Sequence, residues 1–369
     1  MNMDPLTIVL IILSLPYWIS VFTVFTHLRF GKIENKELPM VSAVIPTRNE
    51  GDVIEKTLKK VRQSDYPKNK LEIIVVDANS TDNTVRIARK YADKVVIEKR
   101  PKGKPHALNV AIRKSKGDII YILDADSWVE KSTIKNLVLR MDGHKAIMGL
   151  SLPENKENFV TRIGRLENAM FIDINLFLYR LMKTSIVPGK NYAVYKKVIK
   201  KIGGFQNALT EDINVSFRLY NAGYKIKFVP AKCYEQIPDR LKWFIKQQRR
   251  WSMGGINEIK NALRRMPFLA IFVVPVLGLL ALTSAAFLLS FLSAILFQNI
   301  MFLIITIPSL IVSILAISKY LDGDDLVYLP ATLVTLGVFQ VVINLYAFFS
   351  LLIGKKVPWE KTPKLIHNE

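Results

Sequence analysis

The sequence predicts an α/β protein built on a mostly parallel sheet, flanked by apolar segments long enough to cross a membrane. Three observations predict this. Between about residues 30 and 265, short apolar runs alternate with stretches of helical spacing. Three of those runs stop abruptly on polar clusters, as strands do at a ligand site. Outside that region, residues 5–26, 266–318 and 326–353 carry no Asp, Glu, Lys or Arg, and a membrane-crossing helix needs roughly 20 apolar residues.

The first strand is predicted at 41–45, closed by Pro46-Thr47-Arg48-Asn49-Glu50. Residues 52–62 follow with Ile54, Leu58 and Val61 on one helical face. A second strand at 71–76 and a helix at 81–91 come next. A third strand at 95–97, a helix at 105–115 and a fourth strand at 118–123 complete the series. Strands separated by helices of this length form a parallel sheet with crossover helices. In such sheets ligands gather at the carboxyl ends of the strands. Here those ends carry Thr47 to Glu50, Asp77-Ala78-Asn79-Ser80 and Asp124-Ala125-Asp126. One acidic strand end alone is a turn or a helix cap; three on one sheet point to a site. The Asp124 and Asp126 pair offers the hard oxygens that a divalent cation takes.

Two later segments are amphipathic. Residues 159, 163, 166, 170, 174, 177 and 181 form an apolar helical stripe, with Arg162, Arg165, Asp173 and Arg180 off it. Residues 241–263 mix Phe244, Trp251, Ile256 and Ile259 with Lys242, Lys246, Arg249, Arg250 and Lys260. A basic amphipathic helix running into an apolar segment reads as interfacial. Between them, Glu211 and Asp212 open a predicted helix at 213–222, where acids favour the first turn.

The 369 residues carry 52 Lys and Arg against 31 Asp and Glu, a formal charge of +21. So basic a chain points to nucleic acid, anionic lipid or a phosphate-bearing substrate. It has no nucleic-acid module signature, which leaves membrane lipids and a diphosphate substrate. The single Cys233 excludes a disulfide framework within the chain. The stretch 5–26 has neither a basic n-region nor a small-x-small site before Arg29, and is expected to be an uncleaved anchor. Arg29, Lys32 and Lys36 after it place the polar domain in the cytoplasm. Residues 266–318 allow two spans turning at Gln298-Asn299, and 326–353 a further one interrupted by Pro330, Gln340 and Asn344. Four full spans would put Lys355, Lys356, Lys361 and Lys364 outside, against the positive-inside tendency; a re-entrant 326–353 relieves that conflict. The expected organisation is an N-terminal transmembrane helix at 1–30 and a catalytic domain at 31–237, which includes an amphipathic helix at 158–183. An interfacial helix at 238–265, transmembrane helices within 266–353 and a basic tail at 354–369 follow.

Five segments resemble the motifs of family 2 glycosyltransferases: VSAVIPTRNE (41–50), IIVVDANSTDNT (73–84), YILDADS (121–127), LTEDINVSFRLYNAGYKIKFVP (209–230) and QQRRW (247–251). The resemblance covers about 41–251. It is to the membrane-embedded branch that includes cellulose, hyaluronan and chitin synthases, and it implies the GT-A fold, a Rossmann-like sheet. It implies a nucleotide-sugar donor at Thr47, Glu50, Asp77, Lys104, Asp124 and Arg250, with Mg²⁺ or Mn²⁺ on Asp126 and Asp124. It also implies that Asp212, beside Glu211, is the base that deprotonates an acceptor hydroxyl in a single inverting displacement. Trp251, Gln247 and Gly189 would line the acceptor site. Many relatives carry a second Asp and a Gly where Ala78 and Asn79 stand, so uridine and guanosine donors both remain open.

Polysaccharide-exporting relatives build their channel from more than four spans. The expected activity is therefore non-processive transfer of a hexose to a lipid-linked saccharide at the cytoplasmic face of the cell membrane, with processive polysaccharide synthesis as the alternative. An Asp-x-Asp phosphohydrolase is a remote alternative that leaves Asp212 and QQRRW unexplained, and a non-catalytic scaffold is another.

Overall fold

A computed structural model of the chain describes residues 37–265, 311, 314–315 and 318–354. The expected segment 1–30, most of 266–318 and the basic tail from 355 lie outside the described residues. The described residues fall into two compact units, one of 37–155 with 178–237, the other of 156–177, 238–265 and the described part of 311–354.

The first unit is an eight-stranded sheet with strand order β3-β2-β1-β4-β7-β6-β8-β5. In chain order it contains β1 (Val41–Thr47), α1 (Ile54–Arg62), β2 (Leu71–Asp77), α2 (Thr84–Tyr91), β3 (Lys94–Ile97), α3 (Lys104–Lys114) and β4 (Ile119–Ile122). These match the predicted alternation, and β1 pairs in parallel with both β2 and β4. Both faces of β1 and β2 are covered, so they read as almost unbroken apolar runs: every residue of β2 is buried. α1 turns Ile54, Leu58 and Val61 onto the sheet. Thr57 on the same helix donates to the carbonyl of Ala125 at 2.8 Å, which fixes the helix to the loop after β4.

The other half of the sheet comes from β5 (Ser127–Val129), α4 (Thr133–Leu139), β6 (Ala146–Pro153), β7 (Tyr192–Tyr195), α6 (Lys196–Lys201), α7 (Glu211–Asn221) and β8 (Ile226–Glu235). Here β4–β7, β6–β7 and β5–β8 are antiparallel, and β6–β8 is parallel with a register shift between Met148 and Leu150. Asn191, fully buried and left-handed at φ 50, replaces the interrupted ladder. Its amide donates to the carbonyls of Leu150 (2.7 Å) and Ala231 (2.9 Å), and its Oδ1 accepts from Tyr121 (3.0 Å). Its own carbonyl accepts from Gly149 at 2.9 Å.

The second unit holds α5 (Phe159–Met182) up to residue 177, α8 (Leu241–Arg265), α9 (Gly323–Val327) and α10 (Leu329–Leu352). The predicted stripe on α5 buries Ile163 and Leu166, which pack with Ala169, Phe244, Leu329 and Leu336. Arg162 and Arg165, off that stripe, close on the buried Asp325 at 3.2 and 2.7 Å. Asp325 and Asp322 form a capping box at the start of α9, and Lys156 reaches Asp322 at 2.8 Å. Among the described residues no helix is long and apolar enough to cross a membrane. In α10, Gln340 is engaged by side chains of α5 and α8, described below.

The Asn191 crossing makes a sharp prediction. A Cβ on Gly149 would stand 2.1 Å from the carbonyl of Ala231 and 2.5 Å from the Asn191 amide. Gly149→Ala should therefore destabilise the protein by about 3 kcal/mol or more, because backbone has to move. At Gly143, φ is 75° with open space around the Cβ position; there Ala should cost only about 1 kcal/mol of backbone strain. Chemical denaturation of the two variants, side by side, checks the contrast.

Candidate active site

Parallel pairing brings the predicted strand ends to one edge of the sheet. Thr47 pairs with Asp77, and Val44 with Ile122, so the loops after β1, β2 and β4 emerge together. The first two are stitched to one another. The Asn49 side chain accepts from the Thr81 amide (2.8 Å), Ser80 Oγ accepts from the Asn49 amide (2.8 Å), and Asp82 accepts from Gly51 (3.0 Å) and Thr84 (3.0 Å). Asn49 and Asn79 both take left-handed backbone, at φ 52 and 57, a region Asn tolerates better than most residues.

Asp77 is fully buried, and both of its oxygens accept from Ser80, at 2.9 and 2.5 Å. It holds the turn after β2. Thr47 is also buried, and its hydroxyl has no hydrogen-bond partner among the described residues. Glu50 is half-buried; its amide donates to Thr84 Oγ1 at 2.8 Å and its carbonyl receives the amides that open α1.

Lys104 organises the next part. It starts α3 directly after Gly103, whose φ of 91 brings the chain into the helix. Its Nζ lies 2.8 Å from Asp124, 3.0 Å from Glu211 and 3.1 Å from the carbonyl of Gly189. Burial acts to lower its pKa, but Asp124 and Glu211 outweigh that, hold it well above the usual lysine value and keep it charged.

Asp212 is the neighbour that Lys104 does not pair. Its carboxylate is enclosed although the residue is only half-buried by area, and the enclosure governs its proton affinity. Burial first, then the charge of Glu211, push its pKa up to about 7. Lys104 and the Ile213 amide, at 2.9 Å, oppose that shift. Gly189 faces it at φ 73; a Cβ there would stand 3.2 Å from Asp212 Oδ2. Ser216, one turn along α7, accepts from the amide of Val187 (3.0 Å) and donates to the Asp212 carbonyl (2.7 Å), fixing α7 against the segment that carries Gly189.

Two residues that sequence reasoning did not select stand in the same place. Lys190 and Glu235, both largely buried, form an ion pair at 2.6 Å. Glu235 ends β8 opposite Ser127, the residue after Asp126. Lys190 follows Gly189, whose carbonyl accepts from the Lys104 that binds Asp124, and the charge of Asp124 acts on it. The alternating pattern of β8 was visible in the sequence; its pairing with the Asp124 loop was not.

Gln247, Arg250 and Trp251 lie on α8, in the second unit, with Trp251 exposed and Gln247 half-buried. Its buried members are others. Gln248 donates to Glu167 of α5 at 2.5 Å, and Gln340 of α10 donates to Glu167 (3.1 Å) and to Gln248 (3.0 Å). Burial raises the Glu167 pKa to about 7, with the two glutamines opposing. Arg249 donates to Tyr346 at 2.6 Å and stacks on its ring at 4.3 Å.

Asp124 and Asp126 supply hard oxygen donors at a strand end. Among the described residues no group of three or more His, Cys, Asp or Glu side chains could hold a metal ion. Two carboxylates, with phosphate oxygens and water completing the shell, is how Mg²⁺ is commonly bound at phosphate-transfer sites. The residues present fit a cation of that kind.

A strongly curled α/β sheet with acidic loops at the carboxyl ends of its parallel strands is a GT-A-like fold. Residues 42–203 match the Glycosyl transferase family 2 profile. It is similar to the "Probable glycosyltransferase YdaM" of Bacillus subtilis (strain 168), 37% identical over 60% of this chain and 56% of that protein. The poly-beta-1,6-N-acetyl-D-glucosamine synthase of Staphylococcus aureus (strain MSSA476) is 29% identical over 65% of this chain and 62% of its own length. The chain thus spans about three-fifths of the length of these relatives. In fold it resembles the mannosyltransferase PcManGT from Pyrobaculum calidifontis in complex with GDP-Man and Mn²⁺, with a TM-score of 0.65, 22% identity, and coverage of 94% of this chain and 96% of that one.

The raised Asp212 carries a stability prediction. A carboxyl whose folded pKa lies above its unfolded value favours folding below the unfolded pKa, near 4, and loses that advantage as pH rises through about 7. At pH 8 the wild-type protein therefore carries the penalty of an enclosed charge. Asp212→Asn should be more stable than wild type at pH 8 by on the order of 2 kcal/mol, with the difference shrinking toward pH 5. Denaturation curves at the two pH values measure it.

Proposed function

We propose that the chain is a membrane-bound, inverting glycosyltransferase that moves a hexose from a UDP- or GDP-sugar to a lipid-linked saccharide at the cytoplasmic face of the cell membrane. The observation that carries the reading is the Lys104 cluster: one ammonium bound to Asp124 and Glu211, and beside it a carboxylate, Asp212, that loses its proton near neutral pH. The family 2 match supports the reaction class. The uncharged stretches 5–26 and 266–318 support membrane attachment.

In this reading the loops after β1 and β2 receive the nucleoside, with Thr47 offering its unpartnered hydroxyl and Glu50 at the rim. Asp77 shapes that pocket through the Ser80 turn. Lys104 at the α3 N-terminus meets the diphosphate; for Arg250 that role rests on the family resemblance of QQRRW alone. Mg²⁺ or Mn²⁺ on Asp126 and Asp124 would supply Lewis-acid neutralisation of the leaving phosphate. Asp212 takes the proton of the acceptor hydroxyl as that oxygen attacks the anomeric carbon. Its elevated pKa suits it to this, since a base works best near the operating pH. Gly189 leaves the acceptor room against Asp212, and Trp251 and Gln247 contact its sugar ring. Non-processive transfer is the first reading. Processive synthesis is the second reading, favoured by similarity to a polymer synthase.

A screen of UDP- and GDP-sugars against lipid-linked saccharides with Mg²⁺ or Mn²⁺ tests the proposal. The expected result is a single product with inverted anomeric configuration and a rate that rises with pH to a plateau above about 7, as Asp212 ionises. Asp212→Asn should lower kcat by about 10² to 10⁴-fold. Long polymer from nucleotide sugar alone would establish the processive reading, and full activity in Asp212→Asn would remove that residue from the mechanism.

A further inference from the structure

Lys190 is a largely buried charge beside the acidic loop that this mechanism does not use. It follows Gly189, whose carbonyl accepts from Lys104, and precedes Asn191, which the β6–β8 crossing locks in place. Its ammonium is pinned at 2.6 Å by Glu235, and both Asp124 and Asp126 lie within electrostatic reach of it. Glu235 in turn pairs across strands with Ser127, the residue after Asp126, which brings the ion pair to the acidic loop. A cation seated on Asp124 and Asp126 would share a poorly solvated space with a fixed ammonium, where like charges repel strongly.

We propose that Lys190 is a resident counter-ion that keeps the Asp124–Asp126 site weak for free metal, so that a divalent cation and a nucleoside diphosphate must enter together. The inference rests on the reading of Asp124 and Asp126 as the metal and donor site. The electrostatic argument has two sides. Without ligand, Lys190 and Lys104 already neutralise part of the carboxylate charge, leaving less attraction for Mn²⁺. A diphosphate brings negative charge that both ammonium groups and the metal share, and Lys190 changes from a competitor into a partner. Glu235 sets the balance by holding the ammonium back from Asp124.

The test is Mn²⁺ binding to the full-length protein, followed by the electron paramagnetic resonance of free Mn²⁺, with and without UDP or GDP. Wild type should bind Mn²⁺ weakly alone and about tenfold or more tighter with the nucleotide. Lys190→Met should bind Mn²⁺ alone about tenfold tighter than wild type and UDP or GDP more weakly, so that the two ligands no longer assist each other. Lys190→Arg should behave as wild type. Glu235→Gln, which releases the ammonium toward Asp124, should weaken Mn²⁺ alone, a change in the opposite direction that also guards against misfolding of the Met variant. If wild type shows no Mn²⁺ binding with either nucleotide, the site reading fails and the inference with it. If wild type shows the synergy but Lys190→Met and Glu235→Gln leave Mn²⁺ affinity unchanged, Lys190 is a structural ion pair and only this inference is overturned.

Discussion

The site depends on one ammonium. Lys104 joins the loop after β4, the first turn of α7 and the Gly189 carbonyl, three pieces of chain that sequence separates by up to about a hundred residues. Without a cation there, Asp124, Glu211 and Asp212 would repel one another in a space with little water to screen them. With it, two of the three are compensated and one is not. The division is geometric: α7 begins at Glu211, so successive residues point in different directions, and Glu211 turns to Lys104 while Asp212 turns to Gly189. The raised proton affinity of Asp212 is thus a by-product of what holds its neighbours.

Strain gathers around the same edge. Asn49, Asn79, Gly189 and Asn191 all take left-handed backbone, and each sits where a strand ends or begins beside the acidic loops. Backbone in that region persists only where its surroundings over-determine it. Here the surroundings are identifiable: Ser80 and Thr81 for Asn49, and the carbonyls of Leu150 and Ala231 for Asn191. The sheet core below is fully buried from Val41 to Ile45 and from Ile73 to Val76, and apolar but for Ser42. Its burial stabilises the fold and can offset the cost of an enclosed carboxylate and several strained residues above it.

The parallel half of the sheet was legible because each strand and its crossover helix are local patterns, readable in windows of about ten residues. The apolar stripe read from 159 to 181 lies on one helix, Phe159–Met182, for the same reason. The antiparallel half was not legible. β5 has three residues and β7 four, too short for periodicity, and their partners lie far away in sequence. Lys190 and Glu235 belong to that half. Each looks like an ordinary charged residue near a strand until register places Glu235 opposite Ser127 and the ion pair ties Lys190 to it. Asp77 was legible as a strand-end acid, but the pattern did not show that Ser80 would occupy both its oxygens.

The QQRRW segment shows how one helix can carry two sets of duties. At 100° per residue, Gln247, Arg250 and Trp251 fall within an arc of about 100°, and Gln248 and Arg249 lie to one side of it. The structure uses the second pair as struts: Gln248 on Glu167 and Gln340, Arg249 on Tyr346. Trp251, off that pair, keeps an exposed face. A residue type that packing does not require is one that some other contact must select. On α8 that reasoning singles out Trp251, to which the proposed mechanism gives the acceptor sugar.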